Sequence, residues 1–319
     1  MLVRFWGTRG SIPVALTSAA IQRKLVTALV KATGRGLDTP EKARAFVEQE
    51  LDFAVSHTFG GNSSCVEIET GTGEYVLCDL GSGARPFAVS ALARHGPARP
   101  QTYHVLISHP HWDHIMGFPF FVPAYIPGNV VHIYGCHDGL EDALRRQHGR
   151  PSFPIEFGQL GAKIDFLPLV PGQPNDVAGL TVTPKLQRHG GDSYGYRIEQ
   201  AGKTLVYSTD SEHKLDDPEA VRTFVAFFRE ADLVIFDAQY SLGDAMSVKE
   251  DWGHSSNIVG VELCQMARAK HLCLYHHEPM LDDDQLAALL GETRRLEEIT
   301  RGDYRLEVSA AYDGMELIL

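Results

Sequence analysis

A chain of 319 residues with 44% hydrophobic content has ample material for a buried core. Its formal charge of −12 argues against a broad phosphate-binding surface, which would need clustered Lys and Arg. No stretch approaches the roughly 20 apolar residues that span a bilayer, and Met1-Leu2-Val3-Arg4-Phe5-Trp6 lacks the basic and apolar regions of a signal peptide. The expected location is therefore the cytoplasm, without a membrane partner. Cys65, Cys78, Cys136, Cys264 and Cys273 are odd in number and lie far apart in apolar runs, so they read as small buried hydrophobes rather than a disulfide framework.

In chain order, Leu2-Val3-Arg4-Phe5-Trp6 alternates like a first strand and ends in the turn Gly7-Thr8-Arg9-Gly10-Ser11-Ile12-Pro13. From about Ser18 to Ala32, the residues Ile21, Leu25, Leu29 and Val30 recur at helical spacing, which stops at Gly34. A second helix opens with Thr39 as cap, Pro40 in its first turn and Glu41 just after, and its pattern runs to about Val55. These helices interrupt a run of strands. Residues 14–56 thus read as a helical insertion laid on a sheet, with its apolar stripes packed on the body, and as a candidate lid or homodimer contact.

Strands return with Cys65-Val66-Glu67-Ile68-Glu69 and Tyr75-Val76-Leu77-Cys78-Asp79, joined by Gly71-Thr72-Gly73. A helix carrying Phe87, Val89, Leu92 and Ala93 stops at Gly96, and Tyr103-His104-Val105-Leu106-Ile107 reads as a buried strand. The second half repeats the flavour, with strands at Lys163-Ile164-Asp165-Phe166-Leu167, Leu180-Thr181-Val182-Thr183-Pro184, Tyr194-Gly195-Tyr196-Arg197-Ile198, Thr204-Leu205-Val206-Tyr207-Ser208, Leu233-Val234-Ile235-Phe236 and His271-Leu272-Cys273-Leu274-Tyr275. An amphipathic helix from about Asp283 to Thr300 precedes a final hairpin from Tyr304 to Leu319. Two strand-rich halves with helices between them predict two sheets packed face to face under helical covers, and without a linker residues 1–319 read as one domain.

The chemistry concentrates in Ser108-His109-Pro110-His111-Trp112-Asp113-His114, a loop delivered by the Tyr103–Ile107 strand. Imidazole nitrogen and carboxylate oxygen suit Zn²⁺, Mn²⁺ or Fe, and the donors here exceed what one open catalytic ion takes from a single segment. Two adjacent ions are the economical reading. Further metal-competent side chains follow other strands: His189, Asp210 and His276.

These residues resemble the metallo-β-lactamase-fold hydrolases, and within them the branch of ribonuclease Z and the cyclic-phosphate phosphodiesterases. The resemblance runs through Gly7-Thr8-Arg9-Gly10-Ser11, Gly60-Gly61-Asn62-Ser63-Ser64-Cys65, Leu77-Cys78-Asp79-Leu80-Gly81-Ser82-Gly83, the HxHxDH loop, Gly195-Tyr196-Arg197-Ile198, Ser208-Thr209-Asp210, Gly253-His254-Ser255-Ser256 and His276. It implies an α/β fold, the four-layer αββα sandwich, with a dinuclear centre at the edge of the two sheets. One ion would take His109, His111 and His189, the other Asp113, His114 and His276, and Asp210 would bridge them. Zn²⁺ is the expected ion at both places, though the same donors accept Mn²⁺ or Fe.

Asp113, His254 and Asp237 form the expected catalytic set. His254 is the candidate general acid for a departing ribose or alkoxide oxygen, with a helix-capping role as its bland alternative. Asp237 could orient it, and Asp79 reads either as a carboxylate holding a ligand imidazole or as a turn cap. His276 and His277 are neighbours on a strand, so only one can face the ions. The spacing to Pro279 matches the family pattern for His276. Ribonuclease Z uses a flexible arm in its second half, whereas the passage from His189 to Asp210 reads as a plain hairpin. With the acidic balance, this disfavours nucleic acid and favours a small phosphodiester, such as a cyclic nucleotide or cyclic phosphate, hydrolysed by a hydroxide shared between the ions. A lactone or thioester hydrolase and a non-catalytic metal-binding sensor are the alternatives.

Overall fold

The computed structural model describes residues 1–240 and 253–319. The first half builds β1 (Leu2–Gly7), β2 (Cys65–Glu69), β3 (Tyr75–Cys78), β4 (Thr102–Leu106), β5 (Val130–Gly135) and β6 (Lys163–Pro168). The second half builds β7 (Asn175–Val177), β8 (Leu180–Gln187), β9 (Ser193–Gln200), β10 (Lys203–Ser208), β11 (Leu233–Asp237), β12 (His271–Tyr275), β13 (Glu307–Ala310) and β14 (Glu316–Ile318). Among the described residues these form two seven-stranded sheets, ordered β14-β1-β2-β3-β4-β5-β6 and β13-β12-β11-β10-β9-β8-β7. In each sheet an antiparallel meander passes into parallel strands, from β3 onward in the first and from β10 onward in the second. The parallel strands present their carboxyl ends where open α/β sheets hold ligands.

Alternation decides the layers. Val3, Phe5, Val66, Ile68 and Leu106 from the first sheet meet Val182, Ile198, Leu205, Ile235 and Cys273 from the second in one buried core. The opposite face of the first sheet, with Tyr103 and Val105, packs on Phe87, Ala88 and Ala91 of α4 (Ala84–His95). That of the second, with Val234, Phe236 and Leu272, packs on α6 (Asn257–Ala267) and α7 (Asp283–Thr300) through Val261, Cys264 and Leu286. Helix, sheet, sheet and helix give the expected αββα order. No described helix is long and apolar enough to cross a membrane.

Three expectations need correction. The second insert helix does not run to Val55: α2 (Pro40–Gln49) ends, and α3 (Phe53–Ser56) restarts behind Asp52. The last two strands are no hairpin, because β13 extends the second sheet beside β12 while β14 pairs with β1 in the first. Asp313 explains the crossing: its carboxylate accepts from the Gly61 and Asn62 N–H groups, the Asn62 side chain and the Thr8 hydroxyl, which draws the chain to the first sheet's edge. Nor does the insert lie apolar-side-down on a sheet. Its first helix, α1 (Ser18–Ala32), buries no residue, and Ile21, Leu25, Leu29 and Val30 stand 46–70% exposed. The attachment is made instead by Phe53 against Phe59 and Tyr312, and by Lys24 on Asp283 at 2.7 Å.

His213 gives the fold a defined acid limit. It is buried against Phe224, Phe228 and Phe236 with neither ring nitrogen hydrogen-bonded, and burial pushes it from 6.5 down to about 3. Between those values the unfolded chain binds the extra proton, so stability is lost as pH falls through the window. Denaturant melts from pH 7 to 4 should show a shallower loss for His213→Phe than for the parent.

Candidate metal centre

Every element carrying a candidate donor ends at the same edge. Asp79 follows β3, the His/Asp loop follows β4, His189 follows β8, Asp210 follows β10, and His276 follows β12. Asp79, Asp210 and His276 all have positive φ, at 62°, 48° and 58°. That left-handed turn costs roughly 1–3 kcal/mol per residue and recurs at functional sites. In the loop, His111 precedes the single turn α5 (Trp112–Ile115), which carries Asp113 and His114 together.

The Asp210 carboxylate divides the cluster. Its Oδ1 lies 3.7 Å from both His109 Nε2 and His189 Nε2, and His189 Nε2 is 3.1 Å from His111 Nδ1. Its Oδ2 lies 3.1 Å from His114 Nε2 and 3.3 Å from His276 Nε2, both of which also approach Asp113 Oδ2, at 3.2 and 3.1 Å. Donor atoms of His109, His111 and His189 lie within 4.8 Å of one another, as do those of Asp113, His114, Asp210 and His276. The structure thus brings together all the side chains named from the sequence. His276 faces the cluster, while His277 turns away to the Ala311 carbonyl at 2.7 Å.

Neighbours fix the tautomers. Asp79 accepts from the Ser108 N–H at 2.7 Å, the Ser108 hydroxyl at 2.8 Å, the Tyr207 hydroxyl at 2.7 Å and His114 Nδ1 at 2.7 Å. It is the carboxylate behind an imidazole rather than a bare turn cap, and it leaves His114 Nε2 for the centre. His189 Nδ1 meets the Gly253 carbonyl at 2.8 Å. The N–H of Ser11 reaches Asp113 Oδ2 at 2.9 Å.

The donor chemistry fits divalent ions. His109 Nε2 and His114 Nε2 are buried without a hydrogen-bond partner; the latter lies close to Asp210 but out of alignment. Such a group costs about 1–3 kcal/mol, which a bound cation offsets. Burial and the neighbouring His114 push His109 well below the ordinary imidazole value. Burial opposes charge on Asp113 and Asp210, yet adjacent imidazoles, His114 foremost, outweigh it and hold both below the usual carboxylate range. Against the effect of burial, the same carboxylates hold His114 well above the ordinary imidazole value, so a cation binding there takes the place of its ring proton.

His254 stands over the centre. Its ring stacks on His276 with centroids 5.2 Å apart and meets His189 edge-on at 5.0 Å. Nδ1 is 2.8 Å from Asp237 Oδ2, and that carboxylate also accepts from the Ser211 and Gln239 N–H groups, each at 3.1 Å. Burial opposes protonation of His254, but the charge of Asp237 and its hydrogen bond prevail and raise it to about 9.

Several contributors escaped the sequence reading. Tyr207 reaches Asp79 from the other sheet, a contact set by inter-sheet packing alone. Gly10 and Gly253 lie against candidate ligand rings: a Cβ on Gly10 would come within 2.5 Å of His276 Nδ1, and one on Gly253 within 2.5 Å of His189 Nδ1. The glycines within the Gly-Ser and Gly-His-Ser motifs are the signal that could have disclosed them. Gly10→Ala should therefore displace the His276 ring and lower metal affinity by about 10-fold or more, as loss of a ligand's supporting shell does. Competition with a chromogenic chelator checks this.

Known proteins share this plan. The family profile described as "Beta-lactamase superfamily domain" matches residues 74–277. An uncharacterized protein of Mycobacterium leprae is 33% identical over 142 residues, 43% of this chain and 47% of that one. The chain spans about half the length of the mycobacterial relatives it matches. Ribonuclease Z of Enterococcus faecalis is 24% identical over 224 residues, 54% of this chain and 68% of that protein. The metallo-β-lactamase-fold protein YhfI of Bacillus subtilis superposes with a TM-score of 0.64 at 19% identity, covering 99% of this chain and 98% of that one. With the profile running from β3 to His277, through the whole cluster described above, the chain belongs to the beta-lactamase superfamily and has the metallo-β-lactamase fold.

Proposed function

We propose that the chain is a metal-dependent hydrolase of small phosphodiesters, such as a cyclic nucleotide or cyclic phosphate. The observation that carries this reading is the Asp210 carboxylate dividing two donor sets beside an imidazole, His254, whose Nδ1 is held by Asp237 at 2.8 Å. His109, His111 and His189 would hold one divalent ion, and Asp113, His114 and His276 a second, with Asp210 touching both. Zn²⁺ suits a histidine-rich set, and the same donors accept Mn²⁺ or Fe. Bound there, such ions polarise phosphoryl oxygens and make water a nucleophile at neutral pH.

The chain's own residues supply orientation and a proton. Asp79, Ser108 and the Gly253 carbonyl hold ring Nδ1 atoms of the ligand histidines, so their Nε2 atoms face inward. His254 gives its Nδ1–H to Asp237 and keeps Nε2–H for the oxygen that departs from phosphorus. An alkoxide leaves poorly without that proton. A small substrate is favoured because β9 and β10 join directly at Gln200–Lys203, with no inserted arm between His189 and Asp210, and because the net charge of −12 offers no basic track for RNA.

The test is turnover by metal-loaded protein on a panel of a 2′,3′-cyclic nucleotide, a simple dialkyl phosphate, a lactone and a thioester. Hydrolysis of the cyclic nucleotide, lost on chelation, is the expected result. Turnover confined to the lactone or thioester would overturn the reading.

A further inference from the structure

Helix α1 is amphipathic the wrong way round. A surface helix ordinarily turns its large apolar residues to the core. Here Ala20, Lys24, Ala28 and Ala32 form the half-buried stripe. Lys24 anchors that stripe, giving hydrogen bonds to the Ala54 and His57 carbonyls and an ion pair to Asp283. Outward stand Ile21 at 46% exposure, Leu25 at 57%, Val26 at 60%, Leu29 at 70% and Val30 at 69%. At 100° per residue these cover one continuous half of the helix, with Ser18 and Gln22 as the polar members of that arc.

The arc is apolar and electrically quiet. The cations bordering it are neutralised within the chain: Arg23 by Asp282 at 3.4 Å, Lys31 by Asp52, and Arg35 by Glu50 at 2.8 Å. The exposed side chains amount to roughly 500 Å², as much as the largest patch a soluble monomer usually shows. Two such arcs, fully covered, bury about 1,000 Å², the lower bound for a biological interface and the size of a weak, reversible pair. A membrane-seated helix would instead border its apolar face with free Lys and Arg, on a protein not opposed to anionic lipid by a charge of −12.

We propose that α1 is a homodimer contact. A second copy docks its own α1 antiparallel across a two-fold axis near Leu25 and Val26, so that Ile21 of each chain packs beside Leu29 and Val30 of the other. The contact is isologous, and the arc is self-complementary because it carries no charge to repel its own image. Since each copy is acidic overall, added salt tightens the pair.

Light scattering after size-exclusion chromatography tests this on the full chain at micromolar concentration. Wild type should run at twice the chain mass, and at least as tightly in 0.5 M as in about 0.1 M NaCl. Leu25→Glu/Leu29→Glu should run at the chain mass, its dissociation constant weakened about 100-fold or more. The variant's circular dichroism and melting of the monomer should be unchanged, because neither residue is buried. Wild type at the chain mass, or a variant that stays dimeric, would overturn the proposal. So would flotation of monomeric wild type with phosphatidylcholine/phosphatidylglycerol vesicles that the double variant abolishes.

Discussion

Asp210→Ala is expected to lower phosphodiester turnover by about 10³-fold or more, the consequence of losing several kcal/mol of charge stabilisation at the phosphoryl group. The carboxylate approaches both donor sets, through Oδ1 to His109 and His189 and through Oδ2 to His114 and His276. Without it, Asp113 is the remaining carboxylate of the two donor sets. The backbone should hold, since the Ser193 hydroxyl grips the Asp210 carbonyl rather than its side chain. Asp210→Asn separates charge from shape, keeping an oxygen for one set and offering the other an amide. It should retain part of the metal and little of the rate. Steady-state kinetics with circular dichroism checks both variants, and wild-type-like kcat in either would remove Asp210 from the centre.

His254→Ala should have the second-largest effect, about 10²- to 10⁴-fold in kcat on a substrate with an alkoxide leaving group. The loss should shrink below about 10-fold for bis(p-nitrophenyl) phosphate, whose leaving group departs without a proton. Because His254 also comes within 4.8 Å of donor atoms on His189 and Asp210, a ligand role is the competing account. Metal content distinguishes them: a proton donor can be removed with the metal unchanged, whereas a ligand cannot. Asp237→Asn, which weakens the hold on Nδ1, should reproduce the leaving-group pattern at smaller amplitude.

Most of the centre was legible because its information is local. The loop from His109 to His114 places its donors by sequence adjacency, whereas His189, Asp210 and His276, metal-competent side chains after strands, stand out only beside that loop and through the family resemblance. What the sequence withheld depends on which surfaces meet. Tyr207 alternates correctly in β10, but only the packing of one sheet on the other brings its hydroxyl to Asp79. The terminal strands satisfy a hairpin pattern as well as the true crossing, and Asp313 decides between them through groups some 250 residues away. Periodicity in α1 correctly gives a helix with an apolar face, but it does not say whether that face has a partner in the same chain. Among the described residues it has none.

The measurement that bears most directly on the account is the metal stoichiometry of the purified, metal-replete chain by inductively coupled plasma mass spectrometry, repeated on Asp210→Ala. Two divalent ions per wild-type chain, with a clear loss in the variant, is the result the divided carboxylate predicts. One ion or none per wild-type chain, or two retained without Asp210, would contradict it.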